Sequence, residues 1–138
     1  MSVREIEAND ITRAVRDLVI ETCCILPEDV KCALERAYEA EGAPAAKDAL
    51  SDILENARIA KTRHIPICQD TGLAVFFVEF GQDVHIVGGD LQEAMDKGVA
   101  AGYTEGYLRK STQDHALSER VNRGDNTPAI LQIGRAHV

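Results

Sequence analysis

This sequence predicts an α+β fold, in which N-terminal helices pack with a small sheet. Three observations carry that expectation. Helical periodicity dominates the chain to about residue 62. A nearly continuous apolar run of strand character follows over residues 73–80. Strands and helices then fail to alternate strictly, which argues against a doubly wound sheet.

The first helix is expected to start at a cap offered by Asn9 or Asp10. Ile11, Ala14, Val15, Leu18, Val19 and Thr22 share one of its faces. A second helix begins at Pro27, whose fixed φ suits a first helical residue, and Glu28 and Asp29 favour its positive end. Val30, Ala33, Leu34, Ala37 and Tyr38 form its apolar face, and Gly42 stops it. The third spans about 45–62, with Leu50, Ile53, Leu54 and Ala57 turned inward. Beyond it, 73–80 reads as a strand buried on both faces. Gly81-Gln82-Asp83 makes a turn, and 84–87 makes a second strand that would close a hairpin. Asp90 and Glu93 form a capping box for a fourth helix. Its inner stripe runs Leu91, Ala94, Met95, Gly98, Val99, Gly102, Tyr103, Gly106, Tyr107. Three glycines at four-residue spacing each cost about 1 kcal/mol of helix stability against Ala. Something must pack very close to that face, and the sheet is one candidate. Residues 110–126 read as a polar loop and 128–133 as the start of another strand.

A length of 138 residues suits one domain that buries about two thirds of its unfolded surface. Hydrophobic residues make up 45% and charged residues 28%, a globular balance. The net charge of -8 argues against nucleic acid and anionic membranes as partners, and its plainest meaning is solubility. No run approaches the ~20 apolar residues of a membrane span, and the N-terminus lacks a signal-peptide core. The four cysteines, Cys23, Cys24, Cys32 and Cys68, therefore read as reduced thiols in the cytoplasm. The first three sit on or beside helices, where a cysteine serves as small apolar filler.

Chemistry concentrates in Pro66-Ile67-Cys68-Gln69-Asp70-Thr71-Gly72. A thiol, an amide, a carboxylate and a hydroxyl follow one another between a proline and a glycine. Core packing does not ask for that order, whereas a tight turn can aim such groups at one point. A second block, Arg120-Val121-Asn122-Arg123-Gly124-Asp125-Asn126-Thr127-Pro128-Ala129-Ile130, lies downstream. Together the blocks resemble, in wording, order and spacing, the N-terminal α-subunit region of class I, iron–sulfur-dependent fumarate hydratases and L-tartrate dehydratases. Arg123 departs from the family pattern, which more often has Thr there. By this resemblance, residues 1–132 correspond to the N-terminal part of the hydro-lyase α domain. Residues 133–138 break the strand pattern and resemble translated sequencing adapter. They are expected to be a non-native tail, with the natural chain continuing.

The resemblance implies a hydro-lyase that adds or removes water at a C4 dicarboxylate, fumarate to malate or tartrate to oxaloacetate. It implies a [4Fe-4S] cluster held by three cysteines, whose fourth iron acts as Lewis acid. Cys68 would be one metal ligand, with the other two further along the α subunit. Gln69 would donate to the substrate, Asp70 would handle protons at the hydroxyl side, and Arg109 would pair with a substrate carboxylate. Each has a plainer local reading. Cys68 alone would be a packing thiol, Asp70 suits an Asx-turn toward Gly72, and Arg109 suits a helix C-terminus, with Lys110 its alternate by register. The block at 125–128 fits a structural turn better than direct catalysis. Implied partners are the small dicarboxylate, the remaining α region, and a β subunit or fused C-terminal domain in an oligomer. The isolated piece is expected to be inactive. Two rival readings remain. Asp70-Thr71-Gly72 also spells the aspartic-protease tripeptide, in a chain without that all-β frame. A non-catalytic helical scaffold or interaction domain would need no chemistry at Cys68.

Overall fold

A computed structural model describes residues 3–68, 72–115 and 117–136. In order the elements are β1 (Arg4–Glu7), α1 (Ala8–Cys24), α2 (Glu28–Ala40), α3 (Pro44–Arg63), β2 (Val75–Gly81), β3 (Val84–Val87), α4 (Leu91–Glu105), β4 (Gln113–Asp114), β5 (Val121–Asn122) and β6 (Ile130–Ala136). Helices with small sheets make it α+β, as the sequence predicts. The chain forms two compact units. One combines the residues up to Ile20 with those from Asp70 onward; the other spans Glu21–Gln69.

In the first unit, α1 and α4 pack backbone to backbone. A Cβ on Gly98 would lie 2.6 Å from Val15 Cβ and 2.7 Å from the Thr12 carbonyl oxygen. One on Gly102 would overlap Val19 Cγ2 and lie 2.9 Å from the Arg16 oxygen. The glycine stripe thus admits a helix rather than the sheet. Thr12 Oγ1 donates to the Ala94 carbonyl at 2.9 Å, adding a polar tie at the same contact. Val15 and Val19 of α1 and Ala94, Met95, Val99 and Tyr103 of α4 are all buried. The Asp90 carboxylate accepts from the Glu93 N–H at 3.1 Å, which satisfies one of the open donors at the start of α4. The stripe ends earlier than its spacing predicts. α4 stops at Glu105, Tyr107 turns left-handed at φ 53, and its side chain is exposed.

The strands differ from expectation in more than one way. β2 and β3 do not form a hairpin. β1 pairs β3 in parallel, with Arg4 opposite Val84, and β2 pairs β6 in parallel, with Val75 opposite Ile130. Two-residue hairpins need positive φ at one or both central residues. Here neither Gln82 nor Asp83 adopts one, so the turn sends the strands to different partners. β1 lies ahead of the first helix, and α1 starts at Ala8, so the expected caps Asn9 and Asp10 fall inside the helix. The 73–80 run is not covered on both faces either, because exposure alternates along β2 and leaves Val75 and Phe77 in solvent. The β2–β6 ladder continues through Ala136, so the backbone at 133–136 pairs as strand where the sequence pattern breaks. Within the loop at 110–126, β4 and β5 form a two-residue antiparallel bridge.

In the second unit, α2 and α3 make a helical pair. Pro27 sits one residue before α2 rather than inside it. Leu34 and Tyr38 are half-buried, while Val30, Ala33, Ala37 and, on α3, Ile53 are exposed. Ala57 and Ala60 are the buried residues of α3.

Candidate active site

The heptad begins where α3 ends. His64 takes a left-handed conformation, φ 50 and ψ 49, and its N–H donates to the Ala60 carbonyl. This closes the helix as a glycine more often does. The following backbone is then pinned by successive donors. Ile67 N–H donates to the Cys23 carbonyl at 2.9 Å, and Cys68 N–H donates to Asn56 Oδ1 at 3.0 Å. The Cys68 backbone is therefore fixed while its thiol is exposed and free, the presentation a soft metal ligand requires. Gln69, Asp70 and Thr71 lie outside the described residues, so the sites assigned to Gln69 and Asp70 have no geometry here.

The remaining cysteines differ from Cys68. Burial pushes the Cys23 thiol upward, with a further push from Cys24, and burial does the same to Cys24. A raised thiol resists the deprotonation that ligation demands. These two behave as the filler their helical positions predict. Among the described residues, no three His, Cys, Asp or Glu side chains gather as a metal site. Cys68 is thus a single exposed thiol, able to supply one ligand at most.

At the far end of the heptad, Gly72 has φ 53 and belongs to the first unit. Its carbonyl accepts from Asn126 Nδ2 at 3.1 Å. The other end of that amide, Asn126 Oδ1, accepts from Ser111 N–H at 2.7 Å and from Thr112 N–H at 3.1 Å. Asn126 is fully buried and left-handed, φ 64. Its three partners fix the amide orientation, since two N–H donors require the oxygen and a carbonyl requires the NH2 group. Beside it, the buried Thr112 hydroxyl has no hydrogen-bond partner among the described residues.

Asp125 closes the local turn by accepting from Thr127 N–H at 3.0 Å and Thr127 Oγ1 at 2.8 Å. Burial alone would raise its carboxyl. The Thr127 donors and the charge of Arg123 outweigh that and hold it below the ordinary range. Arg123, the departure from the family pattern, bonds Asp114 at 2.6 Å and reaches Thr127 Oγ1 at 3.3 Å. It braces the loop. The segment entering β6 is fixed by α4: Asp96 Oδ1 accepts from Ala129 N–H at 2.7 Å, and Gln92 Nε2 donates to the Ala129 carbonyl at 2.9 Å.

Arg109 does not close α4. It lies beyond the helix end, exposed, after the left-handed Tyr107 and the buried Leu108. Two residues later come Ser111 and then Thr112, the amides that Asn126 holds. Asn126, Asn56, Gln92 and Asp96 are the residues that sequence reasoning missed. Asn126 lies within a quoted block, but no local pattern announces a partner 54 residues away.

An exposed cysteine on the loop after α3 defines the class: an α+β protein carrying a loop-borne thiol. Residues 12–136 match the sequence model of fumarate hydratase (fumerase), and the chain belongs to that family. A Methanocaldococcus jannaschii protein, provisionally named L(+)-tartrate dehydratase subunit alpha, is 35% identical over 125 residues, covering 87% of this chain and 43% of that relative. A Geobacillus stearothermophilus protein, provisionally named fumarate hydratase class I, is 34% identical over 117 residues, 84% of this chain and 22% of its own. The anaerobic class I fumarate hydratase of Escherichia coli K12 is 43% identical over 82 residues, 58% of this chain and 15% of its own. The chain therefore spans less than half the length of these relatives. Class I fumarate hydratases are iron–sulfur dependent. Among the described residues, no helix is long and apolar enough to cross a membrane.

Proposed function

We propose that this chain is the N-terminal α region of a cytoplasmic hydro-lyase that moves water across the C2–C3 bond of a C4 dicarboxylate. Fumarate plus water gives malate, and tartrate minus water gives oxaloacetate. The remaining α region and a β subunit or fused C-terminal domain would complete the enzyme as an oligomer. The observation that carries this reading is Cys68, an exposed thiol on a backbone held by Asn56, within the heptad that resembles the family's. Cys68 would supply one thiolate to a [4Fe-4S] cluster. When bound, that group supplies a Lewis acid for the substrate hydroxyl. Gln69 would donate to a substrate carboxylate or hydroxyl, and Asp70 would accept and return the proton on the hydroxyl side. The Arg109 fork would hold a substrate carboxylate by two parallel hydrogen bonds, fixing the carbon skeleton in register.

The intact enzyme, purified without oxygen and with its partner where separate, tests this. Cys68→Ser is expected to lose bound iron and sulfide and to lower fumarate or tartrate turnover by a factor on the order of 100 or more. Unchanged iron together with unchanged turnover would make Cys68 a packing residue and overturn the reading.

A further inference from the structure

We propose that Asn126 is a positioning residue that ties Gly72, the last residue of the heptad, to the segment that follows Arg109. The inference rests on the roles given above to Asp70 and Arg109. Three hydrogen bonds carry it. One amide side chain donates to the Gly72 carbonyl, two residues after Asp70, and accepts from the N–H groups of Ser111 and Thr112, two and three residues after Arg109. The group is fully buried, so water does not compete for these bonds. Gly72, Ser111 and Thr112 all lie outside the strands, so no ladder joins them among the described residues. The side chain does what a ladder would do.

The left-handed backbone at Asn126 is part of the device. A positive φ suits Asn, Asp and Gly and disfavours most other residues. The Asp125 turn on Thr127 and the Ala129 clamp by Asp96 and Gln92 hold the chain on the C-terminal side of it. Asn126 is thereby presented from a fixed frame. A residue in this place touches no reacting atom. Its effect reaches the substrate through where it puts the two segments that do.

Two variants separate positioning from mere folding. Asn126→Asp keeps the backbone preference and the oxygen that accepts from Ser111 and Thr112, but loses the donor to Gly72. Asn126→Gly keeps the left-handed backbone and loses all three bonds. Hydrogen exchange on the full chain reads the tie directly. Both variants are expected to speed exchange over residues 66–74, with α1 and α4 at wild-type rates. In the holoenzyme, Asn126→Asp should lower kcat about tenfold with KM within about twofold, because the Arg109 side stays held. Asn126→Gly should lower kcat and also raise KM. Wild-type exchange over 66–74 in both variants would overturn the proposal. So would exchange that rises equally over α1 and α4, or the same kcat and KM changes in both variants. A holoenzyme that turns over neither fumarate nor tartrate would defeat the functional reading alone, and the exchange result would still decide the tie.

Discussion

Asp125 shows how a single carboxylate stabilises the loop that carries Asn126. It accepts two hydrogen bonds from Thr127, and the Arg123 charge stands near it, so its ionised form is favoured in the folded protein against the opposing effect of burial. The sign follows from linkage. A carboxyl depressed on folding contributes stability that is complete above its unfolded value, near 4, and is lost as pH falls through the lower folded value. Asp125→Asn removes that proton linkage while keeping an oxygen to accept from Thr127. The wild type should therefore lose Tm more steeply than the variant as pH drops below about 4, and parallel acid limbs in thermal melts would refute it. The sequence showed this turn, because Asp125-Asn126-Thr127-Pro128 has the composition of one. It also marked Cys68 as a candidate, because an ordered run of polar groups between Pro66 and Gly72 has no packing explanation. Asn126 was not legible in the same way. Its composition fits a turn residue, and its role depends on Gly72, Ser111 and Thr112, which only the folded chain brings within hydrogen-bond reach.

At the scale of elements, the α1–α4 contact is the joint on which the first unit is built. Periodicity in α4 reports that one face is small, and it says nothing about what fills the space. That is why the glycine stripe was readable while its partner was not. β1–β3 and β2–β6 were hidden for a related reason. Parallel pairing joins residues far apart in sequence, while a hairpin is a local guess that turn chemistry at Gln82 and Asp83 does not support. The joint makes a definite prediction. Gly102→Ala gains about 1 kcal/mol of helix propensity. The new methyl would collide with Val19 Cγ2 and press on the Arg16 carbonyl at 2.9 Å. Backbone on the facing helix yields less easily than a flexible side chain, and overpacking costs typically 1–3 kcal/mol or more. The net expectation is a loss of about 1–2 kcal/mol, read as a fall in denaturant midpoint with unchanged m-value. A midpoint that rises would mean that α1 and α4 separate readily, and that the close packing does not hold the unit together.

For the molecule as a whole, the question is what the β2–β6 sheet does with its second face. A parallel sheet is normally covered on both sides, and two strands alone are marginal in water. The apolar run at 73–80 has the composition of a doubly covered strand. Yet Phe77 is 85% exposed, with Val75 and Ile133 also open to solvent. Phe77, Val78, Gln132 and Ile133 line one shallow depression there. Such a patch favours association with any apolar surface of similar shape. The net charge of -8 opposes self-association, but only within the screening length, about 10 Å at 0.1 M salt. The two effects differ in their response to salt, which makes them separable. The chain should associate with rising concentration, more so as salt increases, when followed by sedimentation velocity. Phe77→Lys puts a charge in the middle of the patch without touching the ladder hydrogen bonds. It should shift the association midpoint upward about tenfold or more, because burying Phe is worth roughly 1.5–3 kcal/mol and each 1.4 kcal/mol is tenfold. Its circular dichroism should match the wild type. Equal association in both proteins would place the contact elsewhere and leave the exposed face of β2 without a part in it.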